Sequence, residues 1–277
     1  MNTPWLDHYP AGIPKEIDPD RFRSIPDLLG RTVTRFAGRP AFHNLGRDMT
    51  YAELDRLSRD FAAFLQGLPG MGPGERVAIM SPNLLQYPVA LFGILRAGMI
   101  VVNVNPLYTA RELEHQLKDS GAKAIVIVEN FAAVLQQVLA ATQVRHVITT
   151  QLGDLLRGPK RWLVNAIVKR VRKMVPPWRI GGAIRFRRAL ARGAGAPLRP
   201  VDVAREDVAF LQYTGGTTGV SKGAMLTHRN VLANMEQTSA WLSRDFVEGA
   251  EIAIAPLPLY HIFCLTSTLS FMKWGSL

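Results

Sequence analysis

Hydrophobic residues in the first 150 positions recur with two different periods. Stretches in which apolar residues return every three to four positions predict helices, and short continuous apolar runs predict buried strands. Helices are predicted at residues 50–65, 109–121 and 131–141, and a further helix is predicted to end near residue 97. The predicted strands span 76–80, 99–104, 124–128 and 146–149. Strands that alternate with helices in this way indicate an α/β fold with a largely parallel sheet flanked by helices.

The sequence also marks where two of these helices begin. Thr50 and Glu53, like Thr109 and Glu112, are three residues apart, which is the spacing of a capping box. In such a box the threonine oxygen and the glutamate carboxylate each accept a hydrogen bond from the other residue's backbone amide. Gly121 suits the left-handed position that follows a helix. We therefore expect each helix to begin directly after its threonine.

Elements of the same two kinds return after residue 201. Val208–Tyr213 and Glu251–Pro256 have the pattern of strands. Helical patterns follow at His228–Trp241 and Tyr260–Trp274. We find no internal repeat, so the chain is not expected to form a repeat array.

Composition excludes several classes of protein. Hydrophobic residues make up 48% of the 277 positions, which excludes a mostly disordered chain. Cys264 is the single cysteine, so neither an intramolecular disulfide nor a cysteine-based zinc site can form. The first 20 residues have no apolar core of a secretory signal, and the apolar stretch 84–102 is interrupted by Gln86 and Arg96. These features predict a cytoplasmic protein.

The excess positive charge lies in one segment. The chain has 33 basic and 22 acidic residues, a net charge of +11. Between Leu155 and Val201 there are 13 basic residues and no acidic residue, which leaves 20 basic and 22 acidic residues elsewhere. The segment 155–201 therefore predicts a local charged surface on an otherwise balanced protein.

Residues 160–175 of this segment have the pattern of a basic amphipathic helix. On a helical projection its apolar side chains fall within an arc of about 140°. They are Leu163, Val164, Ile167, Val168, Val171, Met174 and Val175. Such a helix can pack on its own domain and leave its basic face in solvent. Alternatively, it can lie in the interface at the inner face of an anionic membrane. A nucleic-acid contact is a third interpretation, but the interleaved aromatic residues typical of one are missing, so we predict no nucleic-acid partner.

A run of glycine and threonine is the strongest chemical signal in the chain. The predicted strand 208–213 leads into Thr214–Gly219, which contains only Gly and Thr, and Lys222 follows. Glycines let backbone amides surround an anion, threonine hydroxyls add donors, and a lysine adds a positive charge. The Gly-Lys-Ser/Thr ending of a Walker A loop is missing. A plain turn rich in Gly and Thr is the alternative, but the order of the residues favours a phosphate-binding loop.

At this point the chain resembles a known family. The string YTGGTTGVSKGAMLTHRN, residues 213–230, is similar to the phosphate-binding loop of the adenylate-forming, or AMP-binding, superfamily. Residues 49–54 and 95–103 resemble further family segments in the same order. Within the superfamily, 82–88, 105–109 and 256–263 are most similar to bacterial long-chain fatty-acid–CoA ligases. The resemblance covers the whole chain but only about the first half of such an enzyme.

The resemblance implies a reaction and its participants. A long-chain fatty acid attacks the α-phosphate of ATP to give an acyl-adenylate and diphosphate, and coenzyme A then displaces AMP. Mg²⁺ arrives with ATP, with Thr217 as a candidate contact. Thr217 and Lys222 are the implied catalytic residues, and Tyr260 and His261 are implied to line the acyl and adenylate pocket. The implied ligands of the β- and γ-phosphates are Thr214, Gly215, Gly216, Thr217, Thr218, Gly219 and Lys222.

The same resemblance bounds the substrate and the domain. Residues 259–265 contain no acidic side chain to pair with a substrate ammonium, which favours an uncharged acyl tail. Residues 1–277 are expected to be the N-terminal part of the AMP-binding domain. The adenine- and ribose-binding segments and the mobile C-terminal domain are expected beyond Leu277, so the chain alone is expected to form no acyl-CoA. Another acyl- or aryl-CoA ligase, a luciferase-like enzyme and a non-catalytic membrane-binding fragment are the alternatives.

Overall fold

The computed structural model describes residues 3–214 and 221–277. Its strands are β1 (Pro40–Asn44), β2 (Arg47–Thr50), β3 (Arg76–Met80), β4 (Ile100–Val104), β5 (Ala124–Val128), β6 (His146–Thr150), β7 (Ile184–Arg185), β8 (Val208–Thr214) and β9 (Lys222–Thr227). Its α-helices are α1 (Ile25–Phe36), α2 (Tyr51–Gln66), α3 (Gln86–Arg96), α4 (Ala110–Ser120), α5 (Ala132–Val138), α6 (Gly158–Ala166), α7 (Phe186–Ala194), α8 (His228–Leu242) and α9 (Ile262–Lys273). Short 3-10 turns lie at Pro4–His8, Glu129–Phe131 and Leu139–Ala141, and a π-helical turn lies at Ile167–Val171.

A central sheet organises these elements. Within the described ranges it has seven strands in the order β7-β6-β5-β3-β4-β8-β9. Neighbouring strands from β7 to β8 run parallel, and β9 runs antiparallel to β8. The strands β1 and β2 pair separately as an antiparallel hairpin. This arrangement confirms the predicted α/β fold with a largely parallel sheet.

Helices pack on both faces of the sheet. Along β4, Val101 belongs to an apolar cluster with residues of α1, α2, α3, α7, α8 and α9. Its neighbour Val102 belongs to a second cluster, in which Leu113 of α4 and Leu135 of α5 are buried. Successive residues of a strand point to opposite faces, and both faces are covered. This is why β4 and β5 are buried along their whole length.

The two predicted capping boxes have different outcomes. Thr109 and Glu112 form the complete box at the start of α4, and Gly121 has the left-handed conformation with a φ of 64°. At the start of α2 the Thr50 oxygen accepts from the Glu53 amide at 3.1 Å. The Glu53 carboxylate does not complete this box, because it binds the Arg47 and Arg157 guanidinium groups instead.

The predicted strand at Glu251–Pro256 is wrong. This segment has no regular secondary structure, and Ile252 and Ile254 are 74% and 88% exposed. Leu277 accepts from the Ala253 amide at 2.7 Å and donates to Glu251 O at 3.0 Å, and Ala255 O accepts from the Asn83 side chain. A strand needs a continuous neighbour for its ladder of hydrogen bonds, and the described residues provide none here.

The basic segment differs from the expected packed helix. The predicted helix 160–175 is α6 followed by the π-helical turn, and it ends before Lys173, which has a φ of 50°. No residue of 158–171 is buried, and Leu163 and Val171 are 60% and 71% exposed. Val164 and Val168 are half-buried, whereas the side chains named above are exposed, so the domain covers only part of the apolar face. No helix in the described ranges is long and apolar enough to cross a bilayer.

His228, the first residue of α8, is a buried titratable group between two layers of the fold. Only 2% of the residue is exposed, and its Nδ1 accepts a hydrogen bond from the Ile25 amide at 3.2 Å. This bond joins the start of α8 to the start of α1 and requires an unprotonated Nδ1. Burial lowers the pKa of His228 from 6.5 to about 4, against the opposing charge of Asp207.

We predict that this histidine makes the fold sensitive to acid. The unfolded chain binds a proton at about pH 6.5 and the folded chain only near pH 4, so stability falls as the pH decreases through this window. The loss should be about 2 kcal/mol between pH 7 and pH 4.5. Urea unfolding across this range measures it.

The control replaces the titrating ring by a group that does not titrate. His228→Asn keeps an acceptor near Ile25, and should remove about 2 kcal/mol of the acid dependence. His146→Asn, at a half-buried histidine that contacts Pro69 O, should leave the dependence unchanged. Equal pH profiles for His228→Asn and the unmodified chain would show that His228 does not titrate in this window.

Candidate nucleotide and acyl site

Two residues of the glycine- and threonine-rich motif meet at the end of the central strand β8. Thr214 is the last residue of β8, and Lys222 is the first residue of β9. The two residues lie opposite each other in the antiparallel register of these strands. The predicted phosphate ligands Gly215, Gly216, Thr217, Thr218 and Gly219 lie outside the described residues.

Further side chains form hydrogen bonds with the residues at the two ends of this loop. The Ser221 hydroxyl donates to Thr214 O at 2.7 Å, which joins the residues on either side of the undescribed stretch. His115 of α4 lies beside it, with Nε2 2.9 Å from Ser221 O, so this nitrogen carries the proton. Tyr108 contacts the Ser221 side chain, and burial, with Glu112 nearby, raises the pKa of Tyr108. The base of the loop is therefore bonded to the α4 side of the sheet.

Tyr213 connects the loop strand to α4 as well. Its hydroxyl donates to the Asp119 carboxylate at 2.5 Å, and burial, followed by this bond, raises the pKa of Tyr213. A Cβ atom at Gly223, on the paired strand, would lie 2.9 Å from the Tyr213 ring. A side chain at position 223 would clash with the Tyr213 ring in its present position. Packing against this ring is therefore one reason for the glycine at this position of the motif.

Tyr260 and His261 lie in the turn before α9. Tyr260 O accepts from the Gln212 side-chain amide at 3.1 Å, and Gln212 is only two residues before Thr214 on β8. His261 is exposed and caps α9, where its Nδ1 accepts from the Phe263 amide at 3.3 Å. The structure therefore brings the predicted pocket residues next to the strand that enters the loop.

An apolar cavity of about 620 Å³ lies beside this turn, against one side of α9. Ile254 and Leu257 line it from the irregular segment, and Phe263 and Phe271 line it from α9. His43, Asn44 and Asn83 are polar residues at its wall. Among the described residues, no Asp, Glu, Lys or Arg side chain lines it. The cavity is suited to an apolar group.

The described residues provide no preformed metal centre. In 3–214 and 221–277, no group of three or more His, Cys, Asp or Glu side chains could hold an ion. The hydroxyl and lysine groups at the ends of the loop are donors to phosphate oxygens rather than metal ligands. A metal ion at this site would fit as the counter-ion of a bound polyphosphate.

Sequence reasoning missed several contributors to the site. Tyr108, His115, Ser221 and Gln212 were not predicted to act there, although each touches the loop ends or the Tyr260 turn. One signal was present: Tyr108 follows the end of β4, and carboxyl ends of parallel strands meet at the binding edge of an open sheet. His115 lies inside a helical pattern and carries no comparable signal.

Comparison with known proteins agrees with this geometry. The family model described as AMP-binding enzyme matches residues 29–276, so the chain belongs to the AMP-binding enzyme family. It is 56% identical over 276 residues to a long-chain-fatty-acid–CoA ligase of Escherichia coli O157:H7, covering 99% of this chain and 49% of that protein. It is 34% identical to a long-chain-fatty-acid–CoA ligase of Bacillus subtilis strain 168, covering 97% of this chain and 47% of that protein. The chain thus spans about half the length of the curated relatives it matches.

A solved structure shares the fold. The crystal structure of a long-chain-fatty-acid–CoA ligase from Archaeoglobus fulgidus superposes with a TM-score of 0.73 at 23% identity. The match covers 97% of this chain and 48% of that chain. At this identity the likeness concerns the architecture alone.

We predict that Ser221 contributes to nucleotide binding by closing the loop. Ser221→Ala removes the bond to Thr214 O, and a neutral hydrogen bond contributes about 1 kcal/mol. The affinity for Mg·ATP should fall about fivefold. Isothermal titration calorimetry measures it. Ser243→Ala, which removes a similar bond to Ala240 O at the end of α8, is the control and should bind as the unmodified chain does.

Should Ser221→Ala keep its full affinity for Mg·ATP, the loop closure seen between Thr214 and Ser221 would have no part in phosphate binding.

Proposed function

We propose that this chain forms the phosphate- and acyl-binding half of an ATP-dependent long-chain fatty-acid–CoA ligase. The observation that carries the proposal is the direct link between two subsites. Gln212, on the strand that enters the phosphate loop, donates to Tyr260 O, and the preceding residue, Leu259, lines the apolar cavity. The carboxylate of a fatty acid whose tail lies in the cavity would then meet the triphosphate of an ATP on the loop, between the two subsites. The sequence relatives are named for this activity.

The chain's own residues would act mainly by placing charge. Lys222 supplies a fixed positive charge opposite Thr214, and the loop between them supplies amides and hydroxyls to the β- and γ-phosphates. These donors would stabilise the diphosphate that leaves when the fatty acid carboxylate attacks the α-phosphate. Mg²⁺ bound to the triphosphate would neutralise part of the same charge. Coenzyme A would be the second substrate and would accept the acyl group as AMP leaves.

The apolar cavity is the proposed subsite for the acyl tail. Each buried methylene contributes about 0.8 kcal/mol, so a long chain gains affinity through length alone. A substrate ammonium would find no carboxylate among the described cavity residues, and an unpaired buried charge is costly. This favours a fatty acid over an amino acid.

The test joins residues 1–277 to the C-terminal half of the Escherichia coli relative. We expect this chimera to form diphosphate and an acyl-adenylate from ATP only with a long-chain fatty acid, and to release AMP and acyl-CoA once coenzyme A is added. Gly216→Val should abolish diphosphate release, because a β-branched residue obstructs close approach of backbone amides to phosphate. Lys222→Ala should be milder, about a tenfold loss, because it removes one charge-assisted contact.

Lys118→Ala is the matched control, since this lysine pairs with Glu114 on the surface of α4. It should leave the rate unchanged. Turnover of aryl acids without turnover of palmitate would contradict the long-chain assignment and favour an aryl-CoA ligase.

We also propose that the basic segment made of α6 and the following π-helical turn contacts the inner face of an anionic membrane. Trp162, Leu163 and Val171 are 68%, 60% and 71% exposed, although each is apolar. The helix is attached to the domain by a polar residue, Asn165, which accepts from the Gly153 amide at 2.7 Å and donates to Gln151 Oε1 at 2.9 Å. Apolar side chains thus project outward among lysines and arginines, which is the arrangement of interfacial helices.

Vesicle co-sedimentation tests this proposal. Each engaged lysine or arginine contributes about 1 kcal/mol at an anionic surface, and salt screens this term. We expect binding to vesicles that contain phosphatidylserine to weaken as salt rises, and to weaken at least tenfold in the variant Lys169→Glu, Arg172→Glu. Leu163→Ser should weaken it at every salt concentration.

The control variant reverses charge in the same basic segment, outside the amphipathic helix. Arg187→Glu, Arg188→Glu changes two exposed arginines of α7, whose apolar residues Ala189 and Leu190 are buried in the domain. It should affect binding far less. Equal binding to neutral and anionic vesicles at all salt concentrations would contradict the electrostatic part.

A further inference from the structure

The wall of the apolar cavity nearest to Tyr260 is an irregular segment, residues 255–259. It has no strand partner and no helix of its own, and Leu257 within it is 46% exposed. Pro258 O accepts from the His261 amide at 3.0 Å, and the remaining backbone groups must bond to water or to side chains. The structure shows which side chains these are.

Asn83 bonds three backbone groups of this wall. Its Nδ2 donates to Ala255 O at 3.1 Å and to Leu257 O at 2.9 Å, and its Oδ1 accepts from the Leu259 amide at 2.8 Å. One side chain thus spans five residues of backbone. Asn44 of β1 donates to Asn83 O at 3.2 Å, so Asn83 is itself attached to the opposite wall of the cavity.

A second, buried attachment continues from the wall to the phosphate-loop strand. The Tyr87 hydroxyl lies 2.8 Å from Leu259 O and 2.7 Å from Asn103 Oδ1, so its proton is shared between two acceptors. Asn103 Nδ2 donates to Gln212 Oε1 at 3.2 Å, and Gln212 bonds Tyr260 O. Asn83 therefore holds the wall along its length, and Tyr87 of α3 adds a bond at Leu259, where the wall ends.

We propose that Asn83 is a positioning residue of the acyl subsite, which holds the wall 255–259 in the shape that receives the acyl tail. This inference rests on the proposed function. Without the three bonds, the backbone of an irregular segment gains freedom that a ligand must remove again on binding, which weakens its affinity. Asn83 would not touch the phosphates, because it lies at the cavity rather than at the loop.

The experiment compares two substitutions of Asn83 in the 277-residue chain. Asn83→Ala removes all three bonds. Asn83→Asp keeps the size of the side chain and the acceptor for the Leu259 amide. It replaces the donors to Ala255 O and Leu257 O by a carboxylate oxygen that repels them. This variant fills the same space, so it is the second variant if Asn83→Ala does not fold. The readouts are amide hydrogen exchange of residues 255–260, palmitate affinity by calorimetry, and Mg·ATP affinity.

The matched control is Gln66→Ala, because Gln66 makes the same kind of amide contact far from the cavity. Its side chain donates to Arg199 O at 3.0 Å and accepts from the Arg199 amide at 2.9 Å. A general loss of stability should affect this variant as well, whereas a specific effect on the wall should not.

We expect Asn83→Ala to raise the exchange rate of the Leu259 amide at least tenfold, and both Asn83 variants to weaken palmitate binding about tenfold. Mg·ATP affinity should change less than twofold, and Gln66→Ala should alter neither exchange at 255–260 nor palmitate affinity. Unchanged exchange, or faster exchange with unchanged palmitate affinity, overturns the inference. If the unmodified chain binds Mg·ATP but no palmitate, while Asn83 still controls the exchange of the wall, the acyl part of the proposed function fails and the attachment by Asn83 stands.

Discussion

The site depends on the parallel pairing of β4 with β8. These strands are about a hundred residues apart in sequence, yet Val102 lies opposite Leu211 and Asn103 opposite Gln212. The pairing is buried on both faces, so it is stabilised by backbone bonds and by packing together. Because the strands run in the same direction, their carboxyl ends meet at one edge of the sheet. Thr214 lies at that edge, and Gln212, two residues before it on β8, bonds the turn at Tyr260.

Two kinds of support operate around this edge. The loop ends at Thr214 and Lys222 are held by a strand ladder, which is a cooperative array of backbone bonds. The cavity wall at 255–259 has no ladder and depends on single side-chain amides, above all on Asn83. Segments held by few bonds open at lower free energy than the sheet does. The proposed nucleotide subsite thus lies on a paired strand, whereas one wall of the proposed acyl subsite depends on side-chain bonds.

The basic helix α6 shows how polar contacts can leave an apolar face outward. Asn165 bonds the 151–154 turn, and Lys169 lies 3.9 Å from the Glu129 carboxylate, so the side of the helix that meets the domain is partly polar. The exposed apolar side chains, such as Leu163 and Val171, lie on the side that faces solvent. Burial of these side chains would release free energy, which is the physical basis of the proposed contact with an anionic membrane.

Much of the secondary structure and of the chemistry could be read from local sequence. The strands at 76–80 and 124–128 and the helix start at Thr109 depend on hydrophobic period and on contacts within four residues, which a sequence displays directly. The Gly and Thr run likewise indicates phosphate binding, because the loop residues themselves provide the donors. The structure describes Thr214, the first residue of that run, and the part of the run from Gly215 to Gly219 stays a prediction.

The tertiary structure decided what depends on distant partners. Glu53 has the spacing of a capping box, but Arg47 and Arg157 bind its carboxylate. Residues 251–256 have the pattern of a strand, but pairing requires a neighbour that the pattern cannot supply. Asn83 bonds a backbone more than 170 residues away, and an asparagine in a sequence does not show which carbonyls it will meet. Hydrogen bonds between distant segments are set by the assembled fold, so only the fold could reveal them.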